Sequence, residues 1–303
     1  MNQGIFAFPN INDPNLIDIK EFDVSGSYSI PDGTKLIQVI VIGAGGGGGS
    51  GRRGVGSFAA YGGGAGGAAS IIIHNYLIEQ LDGKVLEIAI GAGGGGGAPR
   101  TTDSTGQAGS GGGATTLTLS GKVGFLLYAP GGAGGGAGGG LFPATNGAGR
   151  TPMFNGFIST FVATVGPNIN TSISSFFDKG GAQGGLANNS GTSANPGRNI
   201  VLSTNANLVI CNTNYALGET LRTGNSANSA QSTDLDGTGI FIFGKYTGGI
   251  GGAGGGGGSS QNATNGGNGW RGGGGGGGGG SVGFNSGGGG VGGNGYVAIF
   301  CYK

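Results

Sequence analysis

The sequence predicts a mainly β protein in which extended, three-fold poly-glycine type II helices pack as a glycine sandwich, with little or no α-helix. Three observations predict it: 83 glycines in 303 residues, apolar runs of β type that end directly in glycine, and the lack of sustained helical periodicity. Glycine loses more backbone freedom on folding than any other residue. So glycine-rich a chain stays disordered unless its glycines solve a packing problem. The apolar blocks at 36–42 (LIQVIVI), 70–73 (SIII) and 296–300 (YVAIF) indicate that they do, because a solvated linker does not carry such blocks.

In chain order, strand candidates occupy 21–30, 36–42, 69–76, 86–90, 114–119, 200–205, 208–211, 240–246 and 296–300. Only 76–81 has apolar residues at helical spacing, and it is too short to count as a helix. The recurring unit is a strand followed at once by glycine, with runs beginning at 43, 91, 131 and 249. Collagen demands strict Gly-X-Y phasing and abundant proline, whereas this chain has nine prolines and no phase. The remaining extended conformation is the three-fold helix, at ~3.1 Å per residue, so that 272–280 spans roughly 28 Å. Without side chains, neighbouring runs can approach closely enough to exchange N–H···O=C bonds, replacing a conventional core.

These signals divide the chain into an N-terminal attachment segment (1–20), a strand and poly-glycine module (21–150), an Asn/Ser/Thr-rich insertion (151–237) and a C-terminal poly-glycine module with a closing strand (238–303). The two poly-glycine modules are expected to form one domain.

Charge and motifs then exclude classes of function. A net charge of +1 with scattered basic residues does not suit a polyanion partner. Arg52-Arg53-Gly54 and Trp270-Arg271-Gly272 have the letters of RNA-binding Arg-Gly segments, but those repeat many times and these do not. The start has no basic and apolar leader pattern, so no secretory signal is expected, and the uncharged stretches 123–149 and 151–177 are too interrupted to span a membrane as helices. Cys211 and Cys301 sit in apolar segments and read as small buried hydrophobes, with pairing left open.

Gly43 to Gly48 and Gly91 to Gly96 match the dinucleotide pattern G-x-G-x-x-G, but more glycine follows where a helix must open, so the nucleotide reading fails. Gly279 to Gly283 matches the nucleophile elbow in letters only, since the sole histidine, His74, lies in a strand segment. Asp234 and Asp236 open like a calcium loop but lack its later ligands, and one histidine with two separated cysteines excludes a zinc cluster. No acid lies between Asp103 and Asp178 or after Asp236, which leaves few carboxylate pairs for hydrolysis. The expectation is a non-enzymatic protein without cofactor or metal.

Aromatic and basic residues interrupting the glycine runs carry two readings. In one, each ring fills an edge of the sandwich; in the other, it stacks on a partner beside a guanidinium. The candidate contact residues are Arg52, Arg53, Phe58, Tyr61, Arg100, Phe142, Phe154, Trp270, Arg271 and Phe284.

The segment 22–49 (FDVSGSYSIPDGTKLIQVIVIGAGGGGG), with 86–93 and 292–300, resembles the glycine-rich domains of bacteriophage tail, minor tail and tail-fibre proteins. A weaker likeness is to the T-even tail-fibre-tip adhesins, whose stacked poly-glycine helices display receptor-binding loops. From these the chain departs in its N-terminal strand pair and the long 151–235 insertion. The resemblance implies binding loops at 52–61, 98–110, 141–157, 259–271 and 281–286. It also implies a virion location after synthesis in the host cytoplasm, with other virion proteins and a host surface protein or glycan as partners; the charge argues for no nucleic acid, and association as a homo-oligomer is left open. A purely structural fibre or decoration protein and a microbial extracellular filament are the alternatives.

Overall fold

The structure, a computed structural model, describes residues 13–55, 59–81, 85–139 and 251–303, together with the backbone of strand segments 153–154, 161–163, 200–201, 208–210, 213–215 and 220–222. Strands predominate and no α-helix occurs among the described residues; the short helical spacing at 76–81 becomes a single 3-10 turn, Ile78–Gln80.

Two antiparallel sheets face each other. The first is ordered β1 (Leu16–Phe22), β16 (Tyr296–Tyr302), β3 (Leu36–Ile42), β5 (Ile71–Leu77), β10 (Phe161–Ala163). The second is ordered β2 (Gly26–Ser29), β6 (Val85–Ala89), β7 (Thr115–Leu119), β8 (Leu127–Ala129), β9 (Met153–Phe154). The period of two puts alternate residues into the space between the sheets. Ile37, Val39, Val41, Ile72, Val297 and Ile299 enter from the first sheet, and Leu86, Ile88, Leu117 and Leu127 from the second. β3 and β16 are apolar on both faces because the other face of their sheet gathers a second buried cluster, with Ile40, Ile42, Ala298 and Phe300. Hence their sequences read as continuous apolar runs, whereas β6 and β7 alternate.

The expected strand at 21–30 is two strands in different sheets. The chain bends at Asp23 to Ser25 and crosses from β1 to β2, and the Ser25 hydroxyl accepts the Ile90 N–H at 2.9 Å. Across this crossing the Tyr28 hydroxyl donates to Asp18 at 2.5 Å and lies 3.3 Å from the Cys301 sulfur. Burial, then the bond to Asp18, pushes the Tyr28 phenol well above its ordinary value. Cys301 is a buried free thiol, and Cys211 lies outside the described residues.

Six of the described glycine runs join this β-sandwich at one end. Run 43–52 continues β3, run 61–70 returns to β5, run 91–98 leaves β6, run 106–113 returns to β7, and run 130–139 leaves β8. Run 285–295 returns to β16. The end of the glycine region where these runs meet the strands is the base, and the opposite end is the tip.

The hydrogen bonds of run 43–52 repeat every third residue. Gly43, Gly46, Gly49 and Arg52 donate to Ser70, Gly67, Gly64 and Tyr61; Ala44, Gly47 and Ser50 donate to Gly113, Ser110 and Gln107; and Gly45, Gly48 and Gly51 donate to Gly293, Gly290 and Gly287. Its carbonyls accept from three further runs, as in Gly94 N–H to Gly45 O, Gly135 N–H to Gly47 O and Gly275 N–H to Gly46 O. Run 43–52 is thus enclosed by six neighbours, the three that accept running antiparallel and the three that donate running parallel. A β-strand bonds in two opposite directions, whereas this run bonds in three, so the buried backbone is satisfied without a sheet. Runs from before residue 140 and after residue 250 bond to one another in the same lattice.

Such closeness leaves no room for a Cβ. One placed on Gly45, Gly48 or Gly51 would lie 2.0 Å from the carbonyl oxygen of Gly273, Gly276 or Gly279. The side chains that do occur take jobs in the lattice, as where Ser50 Oγ accepts the Gln107 N–H at 2.7 Å.

Candidate functional site

The tip is built where the runs turn back. After run 43–52 the chain forms β4 (Arg53–Gly54), which pairs in parallel with β15 (Ser281–Val282). The loop after run 91–98 lies against both: Arg53 and Ser104 exchange backbone bonds at 3.2 and 3.1 Å, and Arg100 and Ser286 are joined by Ser286 N–H to Arg100 O at 3.0 Å and Arg100 N–H to Ser286 Oγ at 2.8 Å.

Three arginines converge here. Arg100 donates to its own loop, Nε to Thr105 O at 3.0 Å and Nη2 to Gly106 O at 3.3 Å. Arg53 donates to Thr101 O and, at 3.4 Å, to Gly283 O, linking two loops. Arg52 pairs with Asp103 at 3.9 Å. Among the described tip residues, the three guanidinium groups face one carboxylate, Asp103, so the tip is positive. Arg52 Nε, Arg53 Nε and the Ser281 hydroxyl are buried there without a hydrogen-bond partner. Val55 and Phe284 stand out from it, 46% and 40% exposed. The two side-chain bonds of Arg100 make this candidate contact residue part of the loop's frame as well.

Arg52, Arg53, Tyr61, Arg100 and Phe284 are therefore brought to one end. Trp270 and Arg271 lie at the other end, because run 263–269 travels from tip to base and run 272–280 travels back. The expected loop 259–271 is in fact a tip loop, a lattice run and a base turn. Phe58 and Phe142 lie outside the described residues, and Phe154 is placed by backbone alone, in β9 of the second sheet.

At the base turn Arg271 is the one described non-glycine residue with a left-handed backbone, φ 34°. Its guanidinium stacks over the Tyr296 ring at 3.9 Å and pairs with Asp23 at 3.3 Å and Glu21 at 3.8 Å. Tyr296 donates to the same Glu21 at 2.7 Å. Burial and the bond to Glu21 raise the Tyr296 phenol, while Arg271 opposes them. Arg271 thus ties the lattice to β1 and β16, and the local strain is offset by that network.

Sequence reasoning missed a row of asparagines at one edge of the lattice. The side-chain oxygens of Asn262, Asn265 and Asn268 accept the N–H groups of Asn285, Gly288 and Val291 at 3.0, 2.7 and 2.8 Å. Their spacing of three equals the lattice repeat and was there to be seen. Asn294, Ser110 and Gln107 do the same for Gly93, Gly95 and Ala98. These side-chain oxygens close off donors that an outer run would otherwise present to another chain.

No group of metal-ligating side chains occurs among the described residues, and no helix among them is long and apolar enough to cross a membrane. No curated protein matches the chain. The family model of the glycine-rich domain matches residues 22–302, the span from the end of β1 through every described glycine run to the last residue of β16. The chain belongs to that glycine-rich domain family.

Proposed function

We propose that the protein is a bacteriophage virion protein, a tail-fibre or receptor-binding adhesin, whose poly-glycine type II lattice holds the tip loops rigidly against a host cell-surface protein or glycan. One observation carries this reading: the strands of the two facing sheets join the lattice at the base, while loops from separate parts of the chain collect at the tip. A run of nine residues at ~3.1 Å each sets the two ends roughly 28 Å apart. The three-direction hydrogen bonding of run 43–52, repeated every third residue, supports the three-fold helix. Loops held by a rigid scaffold are where recognition residues concentrate. The tip offers the half-exposed Phe284 beside Arg52, Arg53 and Arg100, an aromatic and guanidinium combination that favours tight contacts. Other virion proteins bind elsewhere on the chain, and chemistry on a substrate plays no part.

The test is binding of fluorescently labelled purified protein to intact cells of bacterial strains that the particle infects, with immunogold labelling of the particles. Saturable binding, weakened at least tenfold by Phe284→Ala together with Val55→Asp, and gold at the end of a fibre are expected. Absence of binding to every infected strain, with particle assembly lost on deletion of the gene, would establish the structural alternative instead.

A further inference from the structure

A groove of ≈ 500 Å³ opens at the base, on the side away from the tip loops, between the Trp270–Arg271 turn and run 285–295. Its apolar surfaces come from Trp270, 39% exposed, and Val291, 47% exposed. Around them stand Asp23, whose side chain is 63% exposed, and the amides of Asn268 and Asn294. The Asn294 oxygen already accepts the Gly93 N–H at 2.9 Å, which leaves its NH₂ as the donor at the border of the groove. Asp23 pairs with Arg271 through its carboxylate and keeps further lone pairs for a second donor. The Arg271 guanidinium sits 5.8 Å from the centre of the Trp270 ring, and the left-handed backbone at Arg271 fixes the turn from which that ring projects.

The geometry points to a saccharide site: Trp270 stacks on the C–H face of a neutral hexopyranose, Asp23 accepts from its hydroxyls, and Asn294 donates to them. A pyranose has one apolar face and a polar rim, and the groove repeats that division, with one flat ring and planar hydrogen-bonding groups at its border. Its volume lies within the range of small-molecule sites and accommodates one or two sugar rings. Charge supports a neutral sugar over an anionic one, since the exposed charge at the border is the Asp23 carboxylate. This site is independent of the tip reading and stands or falls separately from it.

Trp270 is the chain's single tryptophan, so its fluorescence reports on this groove alone. The full-length protein is titrated with methyl glucopyranoside, methyl galactopyranoside, methyl mannopyranoside and N-acetylglucosamine, and with glucuronic acid as the anionic comparison. A saturable emission change with at least one neutral sugar, at millimolar affinity, is expected. Val291→Arg, which fills the groove without removing a lattice hydrogen bond, abolishes it, and Asp23→Asn weakens it at least fivefold. Phe284→Ala at the tip leaves it unchanged. Thermal melting and acrylamide quenching of each variant show that it is folded and its indole accessible. No saturable change with any neutral sugar, stronger binding of glucuronic acid, or a response that survives Val291→Arg would overturn the assignment.

Discussion

Two glycines in near-identical surroundings in the sequence, Gly48 in GAGGGGGS and Gly95 in GAGGGGGA, should respond oppositely to alanine. A Cβ on Gly48 would lie 2.0 Å from Gly276 O and 2.6 Å from its carbonyl carbon, both backbone atoms that cannot rotate away. Run 272–280 must then retreat by more than an ångström. That retreat lengthens the bonds it donates to this run, Gly275 N–H to Gly46 O at 2.8 Å and Gly278 N–H to Gly49 O at 3.0 Å. Two buried backbone bonds lost or stretched, plus the overpacking itself, cost about 3–6 kcal/mol. A Cβ on Gly95 meets only Ser110 Oγ at 3.5 Å, an ordinary contact. There alanine reduces the freedom of the unfolded chain and stabilises by about 0.4–1 kcal/mol. Thermal and urea denaturation of Gly48→Ala and Gly95→Ala measure the difference, and a fall of roughly 10 °C or more is expected for the first alone. Equal losses in both, or a harmless Gly48→Ala, would refute the lattice packing. Gly275→Val belongs with Gly48, since its Cβ would meet Gly290 O at 2.0 Å.

Further expectations follow from the same contacts. Asn265→Ala and Asn268→Ala each remove the acceptor of one lattice N–H and should cost about 1 kcal/mol in urea denaturation, with added concentration-dependent association detectable by light scattering as the edge opens. Arg271→Ala should destabilise more than Arg271→Gly, because both lose the Tyr296 and Asp23 contacts but glycine accepts φ 34° without strain; differential scanning calorimetry gives the order of the two melting temperatures, and the reverse order would count against a strained clasp. The single histidine, His74, packs on Tyr76 with ring centroids 4.3 Å apart, and burial lowers its pKa. The unfolded chain takes up that proton at the ordinary value of 6.5 and the folded one only at lower pH. Stability therefore falls as pH drops below that value, and His74→Gln should flatten the dependence in urea melts across that window. Tyr28, Tyr76 and Tyr296 are raised by burial, so their contribution is present at neutral pH and is lost as pH rises above 10.

The sequence made the strand-then-glycine unit legible because burial on both faces forces continuous apolar runs in β3 and β16, and because each run starts where its strand ends. It did not reveal the bend at Asp23 to Ser25, since β1 and β2 together have the length of one long strand and differ only in which sheet each joins. The candidate residues were legible as types but not as a group. Arg53 and Trp270 both interrupt glycine, and only the direction of each run decides that one reaches the tip and the other the base. That direction depends on how many turns precede it, which no local pattern records. The row Asn262, Asn265, Asn268 carried the three-residue period of the lattice in the sequence itself.

Backbone hydrogen exchange by NMR tests the three-fold lattice most directly. Every amide from Gly43 to Arg52 is bonded and enclosed, so all ten should be strongly protected without interruption. In the outer run 106–113, Gly106, Gln107, Gly109, Ser110, Gly112 and Gly113 donate to backbone or side-chain acceptors, while Ala108 and Gly111 are exposed. Protection there should fail at Ala108 and Gly111, three residues apart. Alternation with a period of two in either run, or uniformly fast exchange across 43–52, would contradict the lattice.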